Sequence, residues 1–397
     1  MSMRADVAVV GAGPAGSWTA YCLARRGARV VVIDASHPRE KPCGGGVTGR
    51  ALALVAPALS GFDLATRVIR TARFVDSVRQ RSVSVALDVP TVEFPPDLVV
   101  ASRADFDAAL LDAAREAGAE FLPARVTDVV GNDDGFCVEF GGGTRNARYV
   151  VGADGANSLV RRRMAGPFTR DQLSIATGWF AHGTTSDEIV VELVDDPPGY
   201  IWSFPRPTHL AIGICGELGA GVAPSALRAR LDAWIRSTRI AENAQQLQPY
   251  SWPIPSLSED DLMNLTVSGA PGWFLVGDAA GLVDPMTREG IYFALRSAEW
   301  AAESIASGQR YMCDLYEDRV RERIAPELAR AAHLKARFFT APFAALMMDA
   351  IAQSEPIRRV AADLIAGRQC YETLKWRLIR TFELGVAFRL WRHLLDT

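Results

Sequence analysis

Hydrophobic positions along this chain follow three rhythms. The first is an unbroken, β-branched run, Val7-Ala8-Val9-Val10, which predicts a strand buried on both faces. Comparable runs lie at 28–33, 147–152 and 273–276, and each leads to an acid: Asp34, Asp154 or Asp278. The second rhythm is alternation, as in Ser82-Val83-Ser84-Val85-Ala86-Leu87; it runs through 68–100 and 173–215 and predicts antiparallel strands. Short strands are expected at 119–122, 125–130 and 136–140. The third rhythm is helical, predicting helices over 14–27, 48–59 behind Thr48, 103–118 behind Ser102, 224–236 and 289–306. From 311 onward the pattern is amphipathic and helical.

The first buried run breaks into Gly11-x-Gly13-x-x-Gly16. Gly11 suits a tight turn, Gly13 lets backbone approach a pyrophosphate, and Gly16 lets the next helix lie close to the strand. That helix aims its free N–H groups and positive dipole end at phosphate. Pro14 and Ala15 open it, and Asp34 with Ala35 ends the second strand, where a carboxylate suits ribose hydroxyls. Together these predict a dinucleotide site. Its features return in three separated blocks with alternating strands between them. The predicted class is therefore α/β: a Rossmann-like dinucleotide domain (1–66, 101–168, 262–330) interrupted by an antiparallel-sheet substrate domain (67–100, 169–261). A helical C-terminal region, 331–397, follows.

Composition changes this picture little. The chain has 397 residues, 49% hydrophobic and 22% charged, with a net charge of −3, which leaves no footprint for nucleic acid. Six scattered cysteines without a C-x-x-C argue against structural zinc or a disulfide framework, so no metal is expected. The early first strand and the absence of a long apolar run make a cytoplasmic protein the expectation. The tail from Ala331 carries ten basic and six acidic residues. It is read either as helices covering the substrate domain or forming a dimer contact, or as a peripheral contact on the inner membrane surface.

Two further stretches stand out. Three glycines follow Cys43 (Gly44, Gly45, Gly46), which suggests a place where backbone comes close to something. Tyr200, Trp202 and Phe204 sit at i, i+2 and i+4 on a predicted strand, so their rings share one face. That face is either a wall for an apolar substrate or an aromatic stripe in the sheet core.

Four ordered motifs resemble FAD-dependent oxidoreductases with the para-hydroxybenzoate hydroxylase fold. They are the glycine fingerprint with Asp34, Arg103-x-x-Phe106-Asp107, Gly152-Ala153-Asp154-Gly155, and Gly277-Asp278-Ala279-Ala280. The resemblance implies that the dinucleotide is FAD. It implies cofactor contacts at Gly11, Gly13, Pro14, Ala15, Gly16, Asp34, Ala35, Cys43, Gly44, Gly45, Arg103, Val126, Asp154, Gly155, Gly277, Asp278, Gly290 and Ile291. Arg103 as a surface helix arginine and Asp154 as a simple turn former stay open as alternatives. Pro42-Cys43-Gly44-Gly45-Gly46 and Pro197-x-x-Tyr200-x-Trp202-x-Phe204-Pro205 are similar to the geranylgeranyl reductase branch. That resemblance implies reduction of C=C bonds on a prenyl or other apolar substrate.

Arg288 departs from the branch, which usually has glycine there; it is expected either near the flavin or turned away to pair with an acid. Cys43, Tyr200, Trp202, Phe204 and Arg288 are the candidates for catalysis. No second glycine fingerprint follows a strand, so NAD(P)H or another external donor is expected to visit without a domain of its own. The alternative is an FAD-dependent monooxygenase acting on an aromatic or secondary-metabolite substrate. Halogenation is set aside because no lysine lies between Lys41 and Lys335. A reading from another class is a flavoprotein adaptor on a membrane surface. The oligomeric state is open.

Overall fold

Five strands run parallel in the spatial order Trp273–Leu275, Gly143–Gly152, Ala5–Val10, Val30–Ile33 and Glu120–Leu122. The chain's computed structural model describes residues 4–381 and 385, apart from 63, 88–97, 133 and 220. Predicted strand positions within 88–97 and the last part of the predicted tail helices lie outside the described residues. Val7, Ala8 and Val9 are fully buried at the centre of this sheet, as an apolar run without alternation requires. Each of these valines contributes roughly 1.5–3 kcal/mol on burial. Helices Pro14–Ala24, Arg103–Glu116 and Ile291–Ala306 pack together beside it.

Seven strands form a second sheet, ordered Gln246–Pro255, Leu173–His182, His209–Glu217, Pro198–Pro205, Glu188–Asp195, Thr71–Asp76 and Arg81–Ala86. Alternation gives it two different faces. Ile201, Ile212 and Ile214 pack against Leu227, Leu231 and Trp234 of helix Pro224–Thr238. Tyr200, Trp202 and Phe204 point the other way, into a cavity. A small sheet of Gly46–Thr48, Leu98–Ala101 and Thr66–Val68 lies between the two large ones in the chain's path.

Several local expectations are corrected. The strand that ends in Asp278 is only Trp273–Leu275, and Gly277–Ala280 forms a 3-10 turn opened by Gly277 at φ 57°. The following helix begins at Ile291 rather than at Glu289. Thr48 precedes helix Gly49–Leu59 but does not cap it with its side chain; its hydroxyl donates to Glu289 at 2.8 Å. Ser102 does cap, accepting from the Asp105 N–H. The tail helices Ala325–Phe338, Ala341–Gln353, Glu355–Ile365 and Tyr371–Ile379 roof the second sheet's cavity face. Their apolar sides face inward, while Trp376 is 61% exposed. No helix among the described residues is long and apolar enough to cross a membrane.

Candidate active site

The glycine turn is shaped by contacts of different kinds. Gly11 has φ 102°, and a Cβ there would lie 2.4 Å from the Ala153 carbonyl oxygen. A Cβ on Gly16 would lie 1.9 Å from the Gly11 carbonyl oxygen. Both are therefore required by the protein's own backbone. At Gly13 a Cβ would meet only the His37 imidazole, at 3.5 Å. Helix Pro14–Ala24 starts there with no side chain capping it, so its first-turn amides point outward. An open glycine beside uncapped amides fits the pyrophosphate of a dinucleotide.

Asp34 braces this turn. Its carboxylate accepts from the Ala12 N–H at 2.9 Å, from Ser36, and from His37 through both backbone and ring Nδ1, the latter at 2.8 Å. Burial opposes its charge, but the His37 and Ala12 hydrogen bonds outweigh that and hold the carboxyl well below its usual range. Asp154 accepts from Ser158 and from the Leu159 N–H at 2.6 Å, so it braces the start of helix Leu159–Met164, which Ser158 caps. Burial raises its pKa above the ordinary carboxylate value. Its neighbour Ala153 backs the glycine turn, so the segment supports the dinucleotide cradle from behind.

Arg103 is not a surface arginine. It is 3% exposed and makes two 2.8 Å bonds to Asp107. Glu40 receives the Arg103 backbone N–H at 2.9 Å and the Ser102 hydroxyl at 2.7 Å. Lys41 reaches across to Asp278 at 2.9 Å. Burial alone would raise the Asp278 pKa, but Lys41 outweighs it and keeps the carboxyl charged.

The glycine loop is packed against protein. A Cβ on Gly44 would sit 3.0 Å from the Phe204 ring, and one on Gly46 3.2 Å from it. Gly45, at φ 87°, would bring a Cβ within 2.5 Å of the Ala101 carbonyl oxygen. Fully buried Arg206 donates to the Cys43 carbonyl oxygen at 2.5 Å and pairs with Glu40. It pins the loop from beneath.

Above this floor lies a cavity of about 360 Å³. One wall is the aromatic face; Gly213 is required there because a Cβ would lie 2.3 Å from the Trp202 indole. The Tyr200 hydroxyl donates to the Thr287 carbonyl oxygen at 2.8 Å, and burial raises its pKa well above the ordinary value. The roof is Phe339, Phe343, Met347 and Ile351, with Leu374 and Leu378 beyond. Helix Ile291–Ala306 starts at the cavity with Gly290 before it and no side-chain cap.

Of the residues expected from the sequence, the cavity lining collects Pro14, Cys43, Gly44, Gly45, Arg103, Tyr200, Trp202, Phe204, Asp278, Arg288, Gly290 and Ile291. Gly11, Gly13, Ala15, Gly16, Asp34, Ala35, Val126, Asp154, Gly155 and Gly277 lie outside that lining. Most of them form or brace the dinucleotide turn; Ala35 is exposed, and Val126 opens the strand Val126–Asn132 and packs on the core. Arg288 meets one of the two expectations held for it, the pairing with an acid. It lines the cavity and also pairs with Glu217 at 2.5 Å.

Arg206, Glu40, Lys41 and Glu217 escaped the sequence reading. Arg206 directly follows the aromatic motif, a signal that was available. Glu217 has no local signal, because its partners are distant in sequence. The gap between Lys41 and Lys335 also misleads as a guide to position: Lys41 lines the cavity, and Lys335 binds Glu217 at 3.3 Å.

Residues 4–247 match the FAD binding domain family. The chain is 33% identical over 334 residues to menaquinone reductase of Mycolicibacterium smegmatis, covering 78% of each chain. It is 30% identical over 370 residues to digeranylgeranylglycerophospholipid reductase of Methanothrix thermoacetophila, covering 85% of this chain and 88% of the relative. A geranylgeranyl bacteriochlorophyll reductase-like protein from Thermoplasma acidophilum shares the fold, with a TM-score of 0.77 at 23% identity over 95% of this chain and 99% of that one. With its glycine cradle and these relatives, the chain is an FAD-dependent oxidoreductase of the geranylgeranyl reductase family.

Proposed function

We propose that the chain reduces C=C bonds of a prenyl or similarly apolar substrate. The observation that carries this reading is the cavity itself: an aromatic sheet face below, apolar tail helices above, and the Gly44–Gly46 loop at one end. Aliphatic and aromatic lining of this kind holds a long apolar chain by burial rather than by hydrogen bonds. FAD, when bound, supplies hydride from its reduced ring.

The chain's own residues do the rest. Trp202 and Phe204 fix the substrate plane, and the roof helices exclude water from it. The Tyr200 hydroxyl is committed to the Thr287 carbonyl and holds the 284–290 turn against the sheet. With hydride going to one carbon of the double bond, we assign the proton for the other to Cys43, a half-buried free thiol that lines the cavity. An external donor, NAD(P)H or another reduced carrier, supplies the electrons in the first half-reaction. The names of the relatives support this class of substrate.

The test is turnover with a panel of prenylated quinones and prenyl alcohols, read by mass with and without oxygen. A gain of about two mass units per bond marks reduction, and about sixteen marks the monooxygenase alternative. Trp202→Ala should cut turnover at least tenfold while FAD stays bound. Loss of FAD with unchanged turnover per flavin would return the aromatic face to a purely structural role.

A further inference from the structure

Arg288 has no part in the chemistry described so far, yet the protein invests structure in it. Its backbone lies in the left-handed region at φ 62°, while its side chain is 4% exposed. The other described non-glycine residues with positive φ, Gln80 and Arg239, lie at exposed positions. A left-handed non-glycine residue is strained and persists only where its surroundings hold it. Here they do. The Arg288 N–H donates to the Asp284 carbonyl oxygen at 2.9 Å. Asp284 in turn accepts from the Met286 N–H at 2.7 Å and the Thr287 N–H at 3.0 Å, and from the Tyr371 hydroxyl at 2.8 Å.

Three ion pairs lie around the cavity, while the buried Asp284 carboxylate is held by neutral donors alone. Lys41 pairs with Asp278, Arg103 with Asp107, and Glu289 with Arg50. Arg288 and Lys335 share the single carboxylate of Glu217, at 2.5 and 3.3 Å. Both also reach the Ser256 hydroxyl, at 2.6 and 3.0 Å. Taken by itself, this cluster of buried Arg288 with half-buried Lys335 and Glu217 carries one positive charge more than it neutralises. The Arg288 Nε–H, also buried, has no acceptor among the described residues. A buried donor without a partner is costly, and a charged one more so. Arg288 faces a cavity whose walls beside it are Tyr200, Trp202, Cys215 and Trp252, surroundings that strengthen any ionic contact.

We propose that Arg288, backed by Lys335, anchors the polar end of the substrate, and that the substrate is an apolar chain ending in an acidic oxygen such as a carboxylate. This rests on the reading of the cavity as the site of an apolar substrate. The acid sits at Arg288, and the chain runs along the aromatic face toward the tail helices. Specificity then comes from the charged end, and affinity comes from the chain.

The test uses the FAD-loaded full chain and two probes with the same prenyl tail, geranylgeranoic acid and geranylgeraniol. Binding is read by quenching of tryptophan fluorescence at a pH where the acid is ionised. The wild type is expected to bind the acid about tenfold or more tightly than the alcohol. Arg288→Gln should bring that ratio to about one without weakening the alcohol, and Arg288→Lys should keep most of it. Glu217→Gln removes the competing carboxylate and should raise the ratio. This arm and the lysine variant decide the matter even if Arg288→Gln does not fold. A wild-type ratio near one, or a ratio unchanged in Arg288→Gln, overturns the proposal. So does a shifted flavin midpoint potential in Arg288→Gln with the ratio intact, because the charge would then serve the cofactor. If neither probe binds the wild type, the apolar-substrate reading itself falls, and the proposal with it.

Discussion

Two glycine-rich segments meet near the cavity, and they use glycine for opposite purposes. In Gly11-x-Gly13-x-x-Gly16, the outer glycines make room for backbone, whereas Gly13 leaves a space that only His37 borders. In Gly44-Gly45-Gly46 each missing side chain is replaced by protein: the Phe204 ring, the Ala101 carbonyl and Arg206. The first segment is a cradle with one open place. The second is a strap pressed onto the aromatic face. Glycine in a sequence signals close approach, and only the structure says whether the approaching group is a ligand or the chain itself.

The largest effects should separate these uses within the first segment. Gly16→Val should yield no folded protein, because backbone cannot give way at 1.9 Å. Gly13→Val should fold, with an apo melting temperature within a few degrees of wild type, yet retain no flavin after gel filtration. Retention of FAD by Gly13→Val would remove the open place from the account. Arg206→Met comes next. It takes the side-chain donor from the Cys43 carbonyl and the ion-pair partner from Glu40, which keeps only its Ser102 and Arg103 hydrogen bonds, and it should cost roughly 3–5 kcal/mol in chemical denaturation. A cost below about 1 kcal/mol would mean that the strap is not held by this arginine.

Gly44→Ala should cost less, about 1–3 kcal/mol, because the Phe204 ring can tilt, and FAD should stay bound. The smallest effect concerns charge. His209 is 5% exposed, and burial first, then Arg206 and His182, push its pKa down from 6.5 to about 4. The unfolded chain therefore binds the extra proton first as pH falls, so this group's stability is lost between about 6.5 and about 4. His209→Gln should flatten the melting-temperature profile in that window, and an unchanged slope would show that the fold does not hold His209 below its ordinary pKa.

Legibility followed the range of the contacts. The parallel sheet could be read because Val7-Ala8-Val9-Val10 and its counterparts carry their burial within a few residues. Tyr200, Trp202 and Phe204 could be placed on one face because alternation is local. Arg206 beneath Cys43, Glu217 between Arg288 and Lys335, and Asp284 under Tyr371 could not be read in this way. Each joins positions 71 or more residues apart. Thr48 shows the same limit in miniature: it stands where a cap belongs, but its hydroxyl is taken by distant Glu289. The roof reads as helical and amphipathic, but pattern alone does not choose between a cover and a membrane contact.

The central claim is that an apolar chain in this cavity accepts hydride from the bound flavin. The most direct measurement is a single turnover without oxygen: the FAD-loaded protein is chemically reduced, a prenyl substrate is added, and flavin absorbance is followed. Return of the oxidised flavin band, with product heavier by about two mass units per bond, is the predicted result. Flavin that stays reduced until oxygen is admitted, with product then heavier by about sixteen, would contradict the account and establish the monooxygenase alternative.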